Sequence, residues 1–183
     1  MTYASRATRG AALVLAVLAA PAAAQGFDAC TGDAPWDATL AALEAEGWAV
    51  VPPGAVVPEA AVDRLAWLNV AAYYVDADTG GAQVTRLHEQ QRMAVRGLAR
   101  KVDTDATRAR VLTRPDGALR LTRTTTLPGR VEQLCLIALD APALDAPAPL
   151  PEGARALSPD ALPDGAPTTL IETRIVLTHE SDQ

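Results

Sequence analysis

Histidine and serine are scarce in this chain, and their scarcity weighs against a serine- or histidine-based active site. Two histidines, His88 and His179, occur in 183 residues. Beyond residue 24 the only serines are Ser158, in a proline-rich stretch, and Ser181, near the end. Neither lies in a G-x-S-x-G elbow, so neither has the strand–turn–helix setting that activates a serine nucleophile. The sequence also lacks a Walker loop, a G-x-G-x-x-G turn and a C-x-x-C pair, which removes the common phosphate-cradling and dithiol motifs. Carboxylates such as Asp103 and Asp105 occur at turn positions, where aspartate is favoured for local hydrogen bonds. Acid–base chemistry assembled from residues far apart in sequence stays open.

Two near-misses are instructive. His88-Glu89-Gln90-Gln91-Arg92 begins like the zincin H-E-x-x-H, but Arg92 stands where the second imidazole must be, so two histidines cannot face one zinc. Asp76-Ala77-Asp78 begins like a calcium loop, yet the fifth position is Gly80 and the twelfth is Leu87 instead of a bidentate glutamate. A solvated turn is the simpler reading of that stretch. No metal and no cofactor is expected.

At its start the chain carries a basic and apolar leader. Arg6 and Arg9 precede the apolar run Ala11 to Ala20, which is too short to span a bilayer as a stable helix, and Ala22-Ala23-Ala24 fits an A-x-A cleavage site. Residues 1–24 are therefore expected to be a signal peptide, with a periplasmic or secreted mature chain from Gln25 to Gln183. The absence of a twin-arginine pair points to Sec-type export, and no cysteine stands where a lipoprotein needs one. No membrane span is expected in the mature chain.

Only two cysteines occur, Cys30 and Cys135. In an oxidising compartment a disulfide is the default for such a pair. A loop of about 105 residues would be closed, for which the chain-entropy model gives about 4.7 kcal/mol at the upper end.

Charge is distributed unevenly. Without Arg6 and Arg9 the mature chain keeps 14 of the 16 basic residues against 22 acidic ones, a net charge of −8. Eleven of those basic residues fall between Arg86 and Arg130, alongside four acids, Glu89, Asp103, Asp105 and Asp116. Overall acidity argues against nucleic acid or anionic lipid as the main partner. The basic stretch leaves a small anion or an acidic protein as possible partners, or else neutralises the remainder of the chain within the fold.

Periodicity divides the mature chain into helices followed by strands. Asp37 is placed to cap a helix carrying Leu40, Ala41 and Leu43, with Gly47 as its left-handed stop. Trp48 to Val51 reads as a short strand before Pro52-Pro53. A second helix, from Pro58 to about Val75, is apolar almost all round and is expected to be buried, with Asn69 as a hydrogen-bonded core residue. A third, about Ala82 to Lys101, opposes an apolar stripe of Val84, Leu87, Ala94, Val95 and Leu98 to a charged edge of Glu89, Arg92, Arg96 and Arg100. His88 flanks the apolar stripe and is expected to pack there.

The clearest stretch is 108–140, a three-stranded antiparallel meander with turns at Pro115-Asp116-Gly117 and Pro128-Gly129. A three-residue first loop closed by Gly117 in the left-handed region would pair Arg114 with Ala118, Leu112 with Arg120, Arg110 with Thr122 and Arg108 with Thr124. Ala109, Val111, Thr113, Leu119, Leu121 and Arg123 would then face the core. The third strand is apolar at both parities and should be covered on both sides. A two-residue Pro-Gly turn splays strands, so a longer second loop is expected, placing Cys135, Ile137 and Leu139 beside Leu119 and Leu121. Residues 141–167 hold seven of the fourteen prolines and read as an extended surface connection. A last strand, 169–178, points Ile171, Thr173, Ile175 and Leu177 inward.

Together these predict a single α+β domain over 25–183, with N-terminal helices laid on one face of a mainly antiparallel sheet built around the meander and completed by the C-terminal strand. Strands are expected at 48–51, 108–114, 118–126, 131–139 and 169–178. The predicted pairing collects Arg108, Arg110, Arg114 and Arg120 on one face at about 5 to 8 Å spacing, suited to gripping a carboxylate or phosphate in fork geometry. The protein's own acids, such as Asp140 and Asp145, are alternative occupants. The expected role is non-enzymatic binding of a small acidic ligand or protein partner in the cell envelope; the alternative is a small periplasmic hydrolase or transferase with a site built from scattered residues.

Overall fold

In the computed structural model, which describes residues 27–74, 80–98, 100, 103–140, 150–158 and 162–177, an antiparallel six-stranded sheet runs in the order β1-β2-β3-β4-β6-β5. The strands are β1 (Ala49–Val50), β2 (Thr107–Arg114), β3 (Gly117–Leu127), β4 (Arg130–Leu139), β5 (Ala154–Leu157) and β6 (Thr169–Leu177). The helices α1 (Trp36–Ala45), α2 (Glu59–Tyr73) and α3 (Gly81–Leu98) all precede the meander. The predicted signal peptide lies outside the described residues, as do Asp145 and the would-be calcium ligands Asp76 and Asp78.

Helices cover both faces of the sheet, where one covered face was expected. On the first, Trp36 and Leu43 of α1, with Phe27 and Cys30, pack on Leu112, Leu119, Leu121, Cys135 and Ile137. On the second, Ala61, Val62 and Leu65 of α2 meet Val111 and Ala118, while Leu68 meets Leu136, Ala138 and Leu170. Side chains of opposite parity on β4 therefore enter two separate cores, which is why that strand is apolar without alternation. Glu172, expected outward on β6, is buried for the same reason. Each fully buried leucine contributes roughly 1.5–3 kcal/mol relative to exposure.

Both meander turns differ from their expected form. Arg114 pairs with Gly117, so the first loop is the two residues Pro115-Asp116, and every β2–β3 pair shifts by one. Because side chains alternate, a shift of one exchanges the faces of all partners across the ladder. Leu112 lies opposite Leu119, Arg110 opposite Leu121 and Arg108 opposite Arg123. Gly117 is not at positive φ. It is there for closeness: an added Cβ would lie 2.6 Å from Leu139 Cδ2 and 3.1 Å from Trp48 Cη2.

At the second turn Leu127 pairs with Arg130 around two residues, Pro128-Gly129, with Gly129 at φ 75°. A bulge between Thr125 and Leu127 absorbs the mismatch that a longer loop was expected to absorb. The predicted neighbours are nonetheless in place, Leu119 against Ile137 and Leu121 against Cys135.

Cys30 and Cys135 form the expected disulfide, 105 residues apart in sequence. The Cys30 carbonyl accepts from Gln133 Nε2 at 3.0 Å and from Thr173 Oγ1 at 3.4 Å, so bridge and hydrogen bonds fasten the same turn (Asp28–Cys30) to β4 and β6. Strand β5 was not foreseen. Ala154-Arg155-Ala156-Leu157 has no β-branched or aromatic residue, and its pairing with β6 supplies what propensity does not.

Candidate functional site

The strand register decides which arginines share a face. Arg108, Arg110 and Arg114 alternate along β2 as expected, but the fourth member on their side is Arg123; Arg120, paired with Val111, faces the α2 side. The predicted foursome of Arg108, Arg110, Arg114 and Arg120 is therefore not one constellation.

Two of the predicted arginines are held by neighbouring carboxylates. Arg110 grips Asp103 with Nη1 at 2.7 Å and Nη2 at 2.6 Å, and its guanidinium lies 5.8 Å from the Trp36 ring. This fork holds the Asp103 carboxyl below its usual range, with a smaller push from the charge of Arg108. Arg114 bonds Asp116 through Nε at 2.7 Å and sits 4.6 Å over Trp48. Asp140, named as a possible occupant of the arginine face, instead takes Arg64, which also bonds the Pro115 carbonyl.

Arg123 is 2% exposed, with Nε donating to Gln133 Oε1 at 2.9 Å and Nη2 to Thr39 Oγ1 at 2.9 Å and to the Ala34 carbonyl. Those bonds tie α1 to the sheet. The sequence had placed Arg123 on the core side with Leu119 and Leu121; its burial follows from that parity. Arg120 is lodged near the end of α2, where burial lowers its pKa against the opposing pull of Tyr73 and Glu172. Its Nε is buried with no hydrogen-bond partner.

Arg108 differs from the rest. Its side chain is exposed and makes no hydrogen bond or ion pair among the described residues. With Arg123 across the ladder it lines a cleft of about 120 Å³ at the end of the meander, whose other walls are Asp105, Ala106, Thr107, Thr125 and Val131. A short turn closes that end of the sheet. Thr104 and Thr107 exchange backbone bonds of 2.9 and 3.2 Å, and Asp103 Oδ1 accepts from the Ala109 amide at 3.4 Å. These contacts occupy edge groups of β2 that would otherwise invite another strand. A second, larger groove of about 430 Å³ runs beside β6 past Asp33, Glu152, Gly153 and Arg174.

His88 and Asn69, expected as packed helix residues, both lie between α2 and α3. His88 stacks on Trp67 with centroids 3.6 Å apart, and its Nε2 lies 3.2 Å from Asp63 Oδ1 without hydrogen-bond geometry. Asn69 Nδ2 donates to Gln91 Oε1 at 3.2 Å. Neither residue lines either cleft just described. Arg92 and Arg96, on the predicted charged edge of α3, converge on Glu59 of α2 at 3.1 and 2.8 Å and hold its carboxyl at about 2. No group of three or more potential metal ligands occurs among the described residues.

The fold defines an α+β protein with helices on both faces of an antiparallel sheet and a disulfide through one core. No protein-family model, no curated protein and no solved structure matches the chain.

Proposed function

We propose that the chain is exported, loses its leader after Ala24, and serves as a non-enzymatic binding protein for a small anion at the Arg108 cleft. The observation that carries this reading is Arg108 itself. It is an exposed guanidinium without a fork partner, opposite a second arginine, at the mouth of a polar cleft. A carboxylate or phosphate in the cleft would meet the fork geometry of the Arg108 guanidinium, which no carboxylate among the described residues occupies. Thr107 and Thr125 line the same cleft.

Export is supported by the leader pattern and by the disulfide, which is compatible with an oxidising compartment. Phe27 and Cys30, shortly after the expected cleavage point, are core residues. Among the described residues no helix is long and apolar enough to cross a membrane.

The test is a titration of the mature, disulfide-bonded chain with phosphate, sulfate, citrate and acetate, following the amides of Thr107, Arg108 and Thr125 by NMR. Saturable shifts confined to the cleft, lost in Arg108→Gln, are expected. If no anion moves those amides, the reading fails. Intact mass of the exported protein checks the leader: a chain beginning elsewhere than Gln25, or two alkylatable thiols, contradicts the export reading.

A further inference from the structure

The cleft that carries two arginines also carries a carboxylate. Asp105 lines it together with Thr107, Arg108 and Arg123, is exposed, and makes no hydrogen bond or ion pair among the described residues. Asp103, two residues away, is engaged by Arg110 at 2.6 Å, so Arg110 is directed at that neighbour. An ionised carboxylate can only accept hydrogen bonds. Beside a bare anion it is repulsive. Beside an anion that still carries a proton it accepts a charge-assisted hydrogen bond while the Arg108 guanidinium holds the other oxygens.

We propose that Asp105 makes this cleft selective for an oxyanion that bears a proton at neutral pH, with inorganic phosphate as the ligand whose tetrahedral shape leaves further oxygens for Arg108. Sulfate has the same size and tetrahedral shape but no proton to give. A phosphate monoester has the same headgroup, but its second pKa near 6 leaves it mostly without a proton above neutrality. Each of these would set a lone pair against the Asp105 oxygens. Specificity of this kind comes from a repulsive element placed against the wrong ligand. The cleft is also small: about 120 Å³ admits a single small oxyanion more readily than a sugar or a peptide.

The inference rests on the reading of the Arg108 cleft as an anion site, and the experiment separates the two. The mature chain and its Asp105→Asn variant are titrated with phosphate, sulfate and methyl phosphate at about pH 7.5 and constant ionic strength, with the cleft amides as reporters. Asparagine keeps the shape of the exposed side chain and adds a donor, so folding is not at issue. The wild type is expected to bind phosphate about tenfold or more tighter than either competitor, the scale of one charge-assisted hydrogen bond. In Asp105→Asn sulfate should gain and phosphate should lose, bringing the two within about threefold. Equal binding of all three by the wild type, or an unchanged preference in the variant, overturns the phosphate assignment and leaves the anion site standing. Absence of any cleft response to all three overturns both.

Discussion

Trp67 and His88 lie face to face, centroids 3.6 Å apart and planes within 6°, and this stack is a main fastening between α3 and α2. Of the eighteen residues in α3 only Val84, His88 and Val95 are buried. The titratable one is thus a large part of what holds the helix. Burial lowers the His88 pKa from its ordinary 6.5, opposed chiefly by the negative charge of Asp63, while Arg92 lowers it and Glu89 raises it to smaller extents.

The sign of the pH effect follows. A histidine whose folded pKa is depressed is neutral in the fold and takes up its proton more readily when unfolded. Stability is then full above about pH 6.5 and falls as the pH drops through that value toward the folded pKa. Denaturant midpoints should decline between about pH 7 and 5 in the wild type. His88→Phe keeps an aromatic ring on Trp67 and cannot titrate, so it should flatten that decline. An equal slope in both proteins would assign the effect to other groups. The Glu59 pairs respond lower, between 4.5 and about 2; that carboxylate is open to solvent, and its contribution should shrink with added salt.

Gly117→Ala should destabilise the protein by about 1–3 kcal/mol through overpacking. The new methyl would meet Leu139 Cδ2 at 2.6 Å, Trp48 Cη2 at 3.1 Å and the Ala138 carbonyl at 3.3 Å. Gly129→Ala, at positive φ with nothing within 4 Å, should cost through backbone strain alone. Chemical unfolding of both variants, with the Trp48 environment followed by near-UV circular dichroism, separates the mechanisms: only the first should perturb that signal.

Arg123→Gln and Arg108→Gln should differ sharply. The first removes donors from Gln133, Thr39 and the Ala34 carbonyl in a buried setting, and leaving buried acceptors unpaired costs about 1–3 kcal/mol. The second changes an exposed side chain without a partner in the fold and should fall within about 0.5 kcal/mol. Thermal melts compare the two directly. Similar losses would mean that Arg108 has a structural role instead of a ligand-facing one.

Much of the architecture was legible because it depends on local chemistry. The buried helix around Leu65 and Leu68, the Gly47 stop and the doubly covered β4 each follow from periodicity or backbone preference within a few residues. The amphipathic α3 was legible too, although Ala94 of its predicted stripe is exposed. Glu172 and β5 were not legible. A glutamate on the outward parity of β6 reads as solvent-facing until Arg155 at 2.8 Å and a second covered face bury it. Four residues without β propensity become a strand only when β6 presents an edge.

By itself the sequence determined the three helices, the meander, the C-terminal strand, the disulfide pair and the presence of an arginine-bearing face, since alternation and turn residues act over short range. Only the tertiary structure decided which arginines that face contains. In the fold the first loop is two residues long and Gly117 is packed against Leu139 and Trp48, a contact between distant segments that turn chemistry alone does not reveal. Since strand side chains alternate with a period of two, that one residue exchanged Arg120 for Arg123 and set Arg108 opposite it.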